Sequence, residues 1–161
     1  DFLGVNYYFE QVAAFDPDAV DGVRIIETDL PRTAMGWEIN PEGLQRLLAW
    51  VHQECGDLPL YVTENGSAWP DKVITDGNGV KRVPDPERVG YLDSHLAACI
   101  SSIREGIPLK GFFVWSFIDN FEWAFGYSRR FGLIYCDFTT QERIPKDSFH
   151  AFRDFLHNRT T

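Results

Sequence analysis

The sequence predicts an α/β fold in which parallel strands are each followed by a covering helix. Three observations carry that expectation. Short apolar, β-prone runs alternate with longer segments of helical periodicity, in the order strand, helix, strand, helix, strand, helix. Two of the helical segments open on Asn40-Pro41 and Asp85-Pro86, a capping residue followed by a first-turn proline. Long polar stretches follow the strands, whereas short ones follow the helices. Strands that recur with a helix between them run in the same direction and need helices to cover them.

Taken in order, Phe2 to Tyr8 reads as a buried strand from its apolar, β-prone content. Residues 9 to about 36 read as loop, punctuated by Asp16-Pro17-Asp18, Asp21-Gly22 and Leu30-Pro31. After Asn40-Pro41, Leu44, Leu47, Leu48, Val51 and Cys55 recur at helical spacing, and Gly56 ends the helix. Leu58 to Thr63 make the next strand, which runs straight into Glu64, Asn65 and Gly66. A polar loop with turns at Asp76-Gly77-Asn78-Gly79 leads to Asp85-Pro86, where cap and proline repeat. The helix that follows carries Val89, Leu92, Leu96, Cys99, Ile100 and Ile103, and closes at Gly106 and Pro108. Gly111 to Phe117 is the third strand, and Gly132 to Phe138 is strand-like. A last helix around Asp147 to His157 carries Phe149, Phe152, Phe155 and Leu156. Long loops after strand ends suit a (β/α) barrel, whose site is built from those loops. Three core strands are visible, and about eight close such a barrel.

Bulk properties narrow the function. A net charge of −9 argues against nucleic acid, which requires a basic patch; Arg129-Arg130 is too short to be one. The apolar run Gly111 to Ile118 is too short to cross a membrane. Three widely spaced cysteines, Cys55, Cys99 and Cys136, form no metal-like pair and suggest reduced thiols in a cytoplasmic protein without a leader. Asn65-Gly66-Ser67 and Asn158-Arg159-Thr160 match the glycosylation tripeptide, read here as chance. The chain opens inside a strand, like a sequence entered in the middle. Five Trp and thirteen Phe exceed what a small core needs, and sugar clefts are one place such rings go.

Three strand ends carry side chains that a buried core would not choose. They are Asn6 and Tyr8, Glu64 and Asn65, and the run from Trp115 to Trp123. In a barrel these ends converge on one pocket. A glutamate beside a tyrosine hydroxyl and an amide can be held ionised and aimed, as a nucleophilic carboxylate must be. Glu122-Trp123 pairs a hydroxyl acceptor with an apolar ring face, a combination suited to sugars. His95 lies four residues before Cys99, and core packing explains it better than a ligand pair. Asp119 and Asn120 are expected to shape their loop.

The chain resembles the C-terminal third of glycoside hydrolase family 1, the β-glucosidase family with a (β/α)8 barrel. The likeness runs from Asp1-Phe2-Leu3-Gly4-Val5-Asn6-Tyr7-Tyr8 through Met35-Gly36-Trp37-Glu38, Tyr61 to Gly66 and Trp115 to Trp123, to Gly126-Tyr127-Ser128-Arg129-Arg130-Phe131-Gly132. It implies one partial barrel domain over residues 1–161, about three core βα units, incomplete as a closed barrel. By the same resemblance Glu64 is the nucleophile that forms a covalent glycosyl-enzyme, and Tyr8 is its hydrogen-bonding partner. Asn6 lines the same site. Trp115, Glu122 and Trp123 would hold the hydroxyls of the sugar, Phe131 would lie near its 6-hydroxymethyl group, and Trp37 would be a platform for the leaving group. Core packing is the alternative for Trp115 and Phe131, and loop anchoring for Trp37.

The resemblance further implies retaining hydrolysis of terminal β-glucosides or β-galactosides, without a metal or organic cofactor. Such chemistry uses two carboxyl groups about 5 Å apart. In the family the acid/base glutamate comes from an Asn-Glu-Pro tripeptide on an earlier strand, and this sequence contains none. A non-catalytic sugar-binding module or an inactive truncation is therefore the competing reading. Open sheet edges lead to the expectation of self-association or pairing with an N-terminal portion. Were Gly132 to Phe138 a fourth strand, two copies could close eight.

Overall fold

The computed structural model describes residues 1–158, so Arg159 and Thr160 of the second glycosylation match lie outside the described residues. The elements are β1 (Leu3–Asn6), β2 (Val12–Phe15), β3 (Val23–Ile26), α1 (Pro41–Cys55), β4 (Leu60–Asn65), β5 (Ile74–Thr75), β6 (Lys81–Arg82), α2 (Pro86–Arg104), β7 (Leu109–Val114), a 3-10 turn (Trp123–Phe125), β8 (Ile134–Cys136), β9 (Arg143–Pro145) and α3 (Asp147–His157).

β1, β4 and β7 form one parallel sheet in that order, each strand followed by the expected helix. Along β4, Leu60 and Val62 turn to a buried face while Tyr61 and Thr63 take the other, as strand alternation requires. The buried face packs with Val5 and Leu109 against Leu44, Leu48 and Val51 of α1 and Cys99 of α2. α1 starts as the sequence indicates: Asn40 Oδ1 accepts from the Gly43 amide at 3.1 Å. The register sets Asn6 beside Glu64 and Asn65 beside Val114, so the three strand ends lie together.

The structure departs from the sequence reading at several places. The stretch after β1 contains a hairpin, β2 paired antiparallel with β3. It has no buried face to leave an alternating pattern: Val12, Phe15, Val23 and Ile25 are all exposed. β4 and β7 begin and end a few residues away from the expected limits, and β4 continues through Glu64 itself. The segment Gly132 to Phe138 does not join the main sheet. It contains β8, which pairs antiparallel with β9 and meets the chain beyond β7 through the isolated bridge Ile118 to Ile134 and a bond from the Cys136 amide to Asp119. The proposed eight-strand dimer therefore loses its fourth strand. Finally, Asp85 precedes α2 but does not cap it: its carboxylate accepts from the Ser148 amide at 2.8 Å, from the Ser148 hydroxyl at 2.6 Å and from Arg88.

No helix of the described residues is long and apolar enough to cross a membrane. Cys55, Cys99 and Cys136 are all free thiols. His95 is buried at core depth with its ring stacked on Tyr91 at 3.9 Å, and no metal-binding group of His, Cys, Asp or Glu occurs among the described residues.

Candidate active site

β4 ends by delivering a carboxylate to the surface left open above the sheet. Glu64 Oε2 accepts a hydrogen bond of 2.7 Å from the Tyr8 hydroxyl. The backbone reinforces that contact, because the Glu64 carbonyl accepts from the Tyr7 amide at 2.9 Å. Burial first, and then the bond to and charge of Glu64, push the Tyr8 phenol well above its ordinary range. Tyr8 therefore stays protonated and donates to the carboxylate it faces.

The next residue anchors this corner. Asn65 is fully buried, and its amide donates to the Tyr7 carbonyl at 2.8 Å and to the Tyr91 hydroxyl at 3.1 Å. Its amide nitrogen is thereby occupied and buried, which bars glycosylation at the Asn65-Gly66-Ser67 match in the folded chain. Gly66 allows the strands to approach here: a Cβ would lie 1.8 Å from the Trp115 carbonyl oxygen. The Trp115 amide in turn donates to the Asn65 carbonyl at 2.9 Å.

Beyond β7 the chain passes through a cis Trp115-Ser116 peptide and returns Glu122 to the Trp115 side chain. The Trp115 indole N–H donates to Glu122 Oε1 at 3.0 Å. Desolvation raises the Glu122 carboxyl above its usual range; the Trp115 bond opposes that rise and the charge of Glu64 adds to it. Glu64 and Glu122 are near enough for the charge of the first to act on the second. Tyr8, Trp37 and Phe131 form a wall beside them, with ring centroids 5.4 Å (Tyr8–Trp37), 6.1 Å (Tyr8–Phe131) and 6.0 Å (Trp37–Phe131) apart. Phe131 is buried within that wall, and Trp37 also stacks on Phe9 at 5.1 Å. Asn6 stands beside Glu64 in register, but its side-chain Oδ1 accepts from the Thr63 hydroxyl at 2.7 Å. Trp123 opens the 3-10 turn with 84% of its surface exposed.

The sequence reading missed what holds these loops together. Arg88 binds Asp71 through both guanidinium nitrogens at 3.1 and 2.9 Å, and also reaches Asp85 and the Ser67 and Arg130 carbonyls. Lys146 donates to Asp71 at 2.5 Å and to Asp119 at 2.8 Å. Asp119 also accepts from Arg130 at 2.6 Å and from the amides of Gly132 and Cys136. Three cations and three carboxylates close a buried, charge-balanced network that ties the loops after β4 and β7 to the segment carrying Phe131. Burial and the Arg88 charge hold the Lys146 amine below its usual range. A signal was present in the sequence: Arg88, Tyr91, His95 and Ser102 share one helical face, a polar stripe that an apolar count passes over.

Comparison with known proteins bears directly on this arrangement. The profile of Glycosyl hydrolase family 1 matches residues 1–161. β-Glucosidase A of Thermotoga maritima is 50% identical over 158 residues, covering 98% of this chain and 34% of that protein. The 1,4-β-D-glucan glucohydrolase of Thermotoga neapolitana is 46% identical over 158 residues, with 98% and 35% covered. A solved family 1 β-glucosidase from Thermotoga maritima superposes with a TM-score of 0.90 at 49% identity, covering 98% of this chain and 35% of that one. The chain thus spans about a third of the length of the curated relatives it matches. Its three parallel βα units are part of a (β/α)8 barrel rather than a closed one. The profile match over the full sequence and the superposition of the sheet that carries Glu64 lead to one assignment: this chain belongs to glycosyl hydrolase family 1.

Proposed function

We propose that residues 1–161 carry the nucleophile half of a retaining β-glycosidase site, acting on terminal β-linked glucose or galactose. The observation that carries this reading is the 2.7 Å bond from Tyr8 to Glu64 at the C-terminal end of a parallel strand. Glu64 attacks the anomeric carbon, forming a C–O bond as the bond to the leaving group breaks. The leaving oxygen takes a proton from the acid/base carboxylate, which then removes a proton from the water that releases the sugar. That second carboxylate would lie about 5 Å from Glu64 and come from residues outside this sequence, which has no Asn-Glu-Pro tripeptide.

Tyr8 and Asn6 would orient the nucleophile and its neighbouring hydroxyl. Trp115 and Glu122 would bind sugar hydroxyls, with Trp123 as a ring face above them. Phe131 would flank the 6-hydroxymethyl group, and Trp37 the leaving group. A carboxylate at Glu122 suits a neutral sugar and repels a phosphorylated one, since like charges a few ångströms apart away from bulk water cost several kcal/mol, ~4 at an intermediate dielectric.

The test is the intact mass of the chain after incubation with a 2-fluoro glucoside bearing a very good leaving group, which needs little help from an acid. A stoichiometric adduct that maps to Glu64, and is absent from Glu64→Gln, supports the nucleophile. No adduct in a folded sample removes autonomous chemistry from this chain. The missing tripeptide favours a second reading, a non-catalytic sugar-binding module; sugar binding that persists in Glu64→Gln while the unmodified chain never forms the adduct would support it.

A further inference from the structure

We infer that Tyr91, on α2 and outside the sugar pocket, is a positioning residue that sets the Tyr8–Glu64 contact. Its hydroxyl lies at a junction of three segments. It donates to the Tyr8 carbonyl at 3.2 Å and accepts from the Asn65 amide at 3.1 Å. Asn65 also donates to the Tyr7 carbonyl at 2.8 Å. One phenol oxygen therefore ties the backbone that carries Tyr8 to the residue directly after Glu64.

The clamp is rigid for physical reasons. Tyr91 is 2% exposed and its ring is stacked on His95, which is fixed in turn by a 2.8 Å contact between its Nδ1 and the Tyr91 carbonyl. Burial raises the Tyr91 phenol well above its ordinary range, so the hydroxyl keeps the proton it donates. Away from water, a lost partner is not replaced by solvent: removing the hydroxyl leaves the Tyr8 carbonyl short of a donor, and the chain after β1 is free to shift. A displacement of tenths of an ångström at Tyr8 is enough to weaken a bond aimed at a nucleophile.

The proposal rests on Glu64 as the nucleophile, so its test has one readout that needs no chemistry. Protein labelled with 3-fluorotyrosine is followed by 19F NMR, with the Tyr8 resonance assigned by Tyr8→Phe and the resonance of a lost Glu64 contact given by Glu64→Gln. In Tyr91→Phe the Tyr8 resonance is expected to move toward its Glu64→Gln position. Adduct formation with the 2-fluoro glucoside is expected to slow at least tenfold at saturation, with an unchanged half-saturating concentration. Asn65→Ser, which cuts the same clamp from β4, should give both changes. Tyr61→Phe, which removes a hydroxyl from the same strand away from the site, should give neither. A folded Tyr91→Phe or Asn65→Ser protein whose Tyr8 resonance stays at its original position overturns the inference, as does an unchanged labelling rate. Failure of the unmodified chain to be labelled counts against the nucleophile reading alone, and the NMR result still decides the clamp.

Discussion

At the scale of single residues, the site depends on which groups hold protons. Tyr8 is kept neutral by burial and by the adjacent carboxylate, so it serves Glu64 as a donor over the whole usable pH range. Tyr8→Phe removes one charge-assisted hydrogen bond, a loss of about 1.5–3 kcal/mol. Labelling of Glu64 by the 2-fluoro glucoside should accordingly slow about ten- to hundredfold, with the fold intact by circular dichroism. His95 makes a different prediction. Desolvation lowers its pKa from 6.5 to about 4, against smaller opposing effects of the Tyr91 carbonyl and Glu42. Above the unfolded value both states are neutral and nothing is lost. As pH falls from there toward the folded value, the unfolded chain takes up a proton that the folded one refuses, and stability drops by up to about 3 kcal/mol. Denaturant titrations between pH 7.5 and 4.5 should show this loss in the wild type. The difference between wild type and His95→Gln isolates it from the carboxylates, and identical pH slopes for the two would assign it elsewhere.

At the scale of elements, the loops carrying the site are tied together by buried charge as well as by apolar packing. Lys146 is fully buried between Asp71 and Asp119. Lys146→Met removes one cation and leaves two carboxylates facing each other without it, a change that costs about 3–5 kcal/mol. That is a large share of the stability of a small domain, ~5–15 kcal/mol, so the urea midpoint should fall sharply; a midpoint shift equivalent to less than about 1 kcal/mol would show the network to be dispensable. This network also marks the limit of what the sequence made legible. The three main strands and the three helices followed from periodicity, caps and glycines, all local signals, with strand limits a few residues off. The cap at Asn40 formed as read, whereas Asp85, identical in local pattern, was drawn away by Ser148 and Arg88. Ser148 lies more than sixty residues from Asp85 and leaves no local trace there. The β2–β3 hairpin was hidden for the opposite reason, since a ribbon with both faces exposed needs no alternation. Tyr8 facing Glu64 was expected from the resemblance; that Asn65 and Tyr91 fix their spacing was visible only once α2 was placed against the strand ends.

At the scale of the whole molecule, three strands leave the sheet with two edges. β1 and β7 each pair on one side only, with β4, among the described residues. Phe2 and Phe113 are more than half exposed at these edges. Beside β1, Tyr7, Tyr8, Leu47 and Trp50 line an open groove of about 560 Å³. Unpaired backbone next to apolar side chains is a template for further strands, and the relatives that this chain matches are about three times its length. We propose that the edges recruit either further βα units or other copies of the chain, and the two occupants respond differently to salt. Each copy carries a net charge of −9, which opposes self-association at low ionic strength. Raising the salt screens that repulsion while leaving apolar contact intact. Sedimentation at micromolar concentration should therefore show species above 18.5 kDa whose fraction grows from low to high salt. Addition of a separate polypeptide carrying the remaining barrel strands should convert them to a one-to-one complex, in which the rate of Glu64 labelling rises because the pocket gains its missing wall. A chain that stays at 18.5 kDa in all salts, melts cooperatively and ignores the added strands would mean that the open edges are stable as they stand.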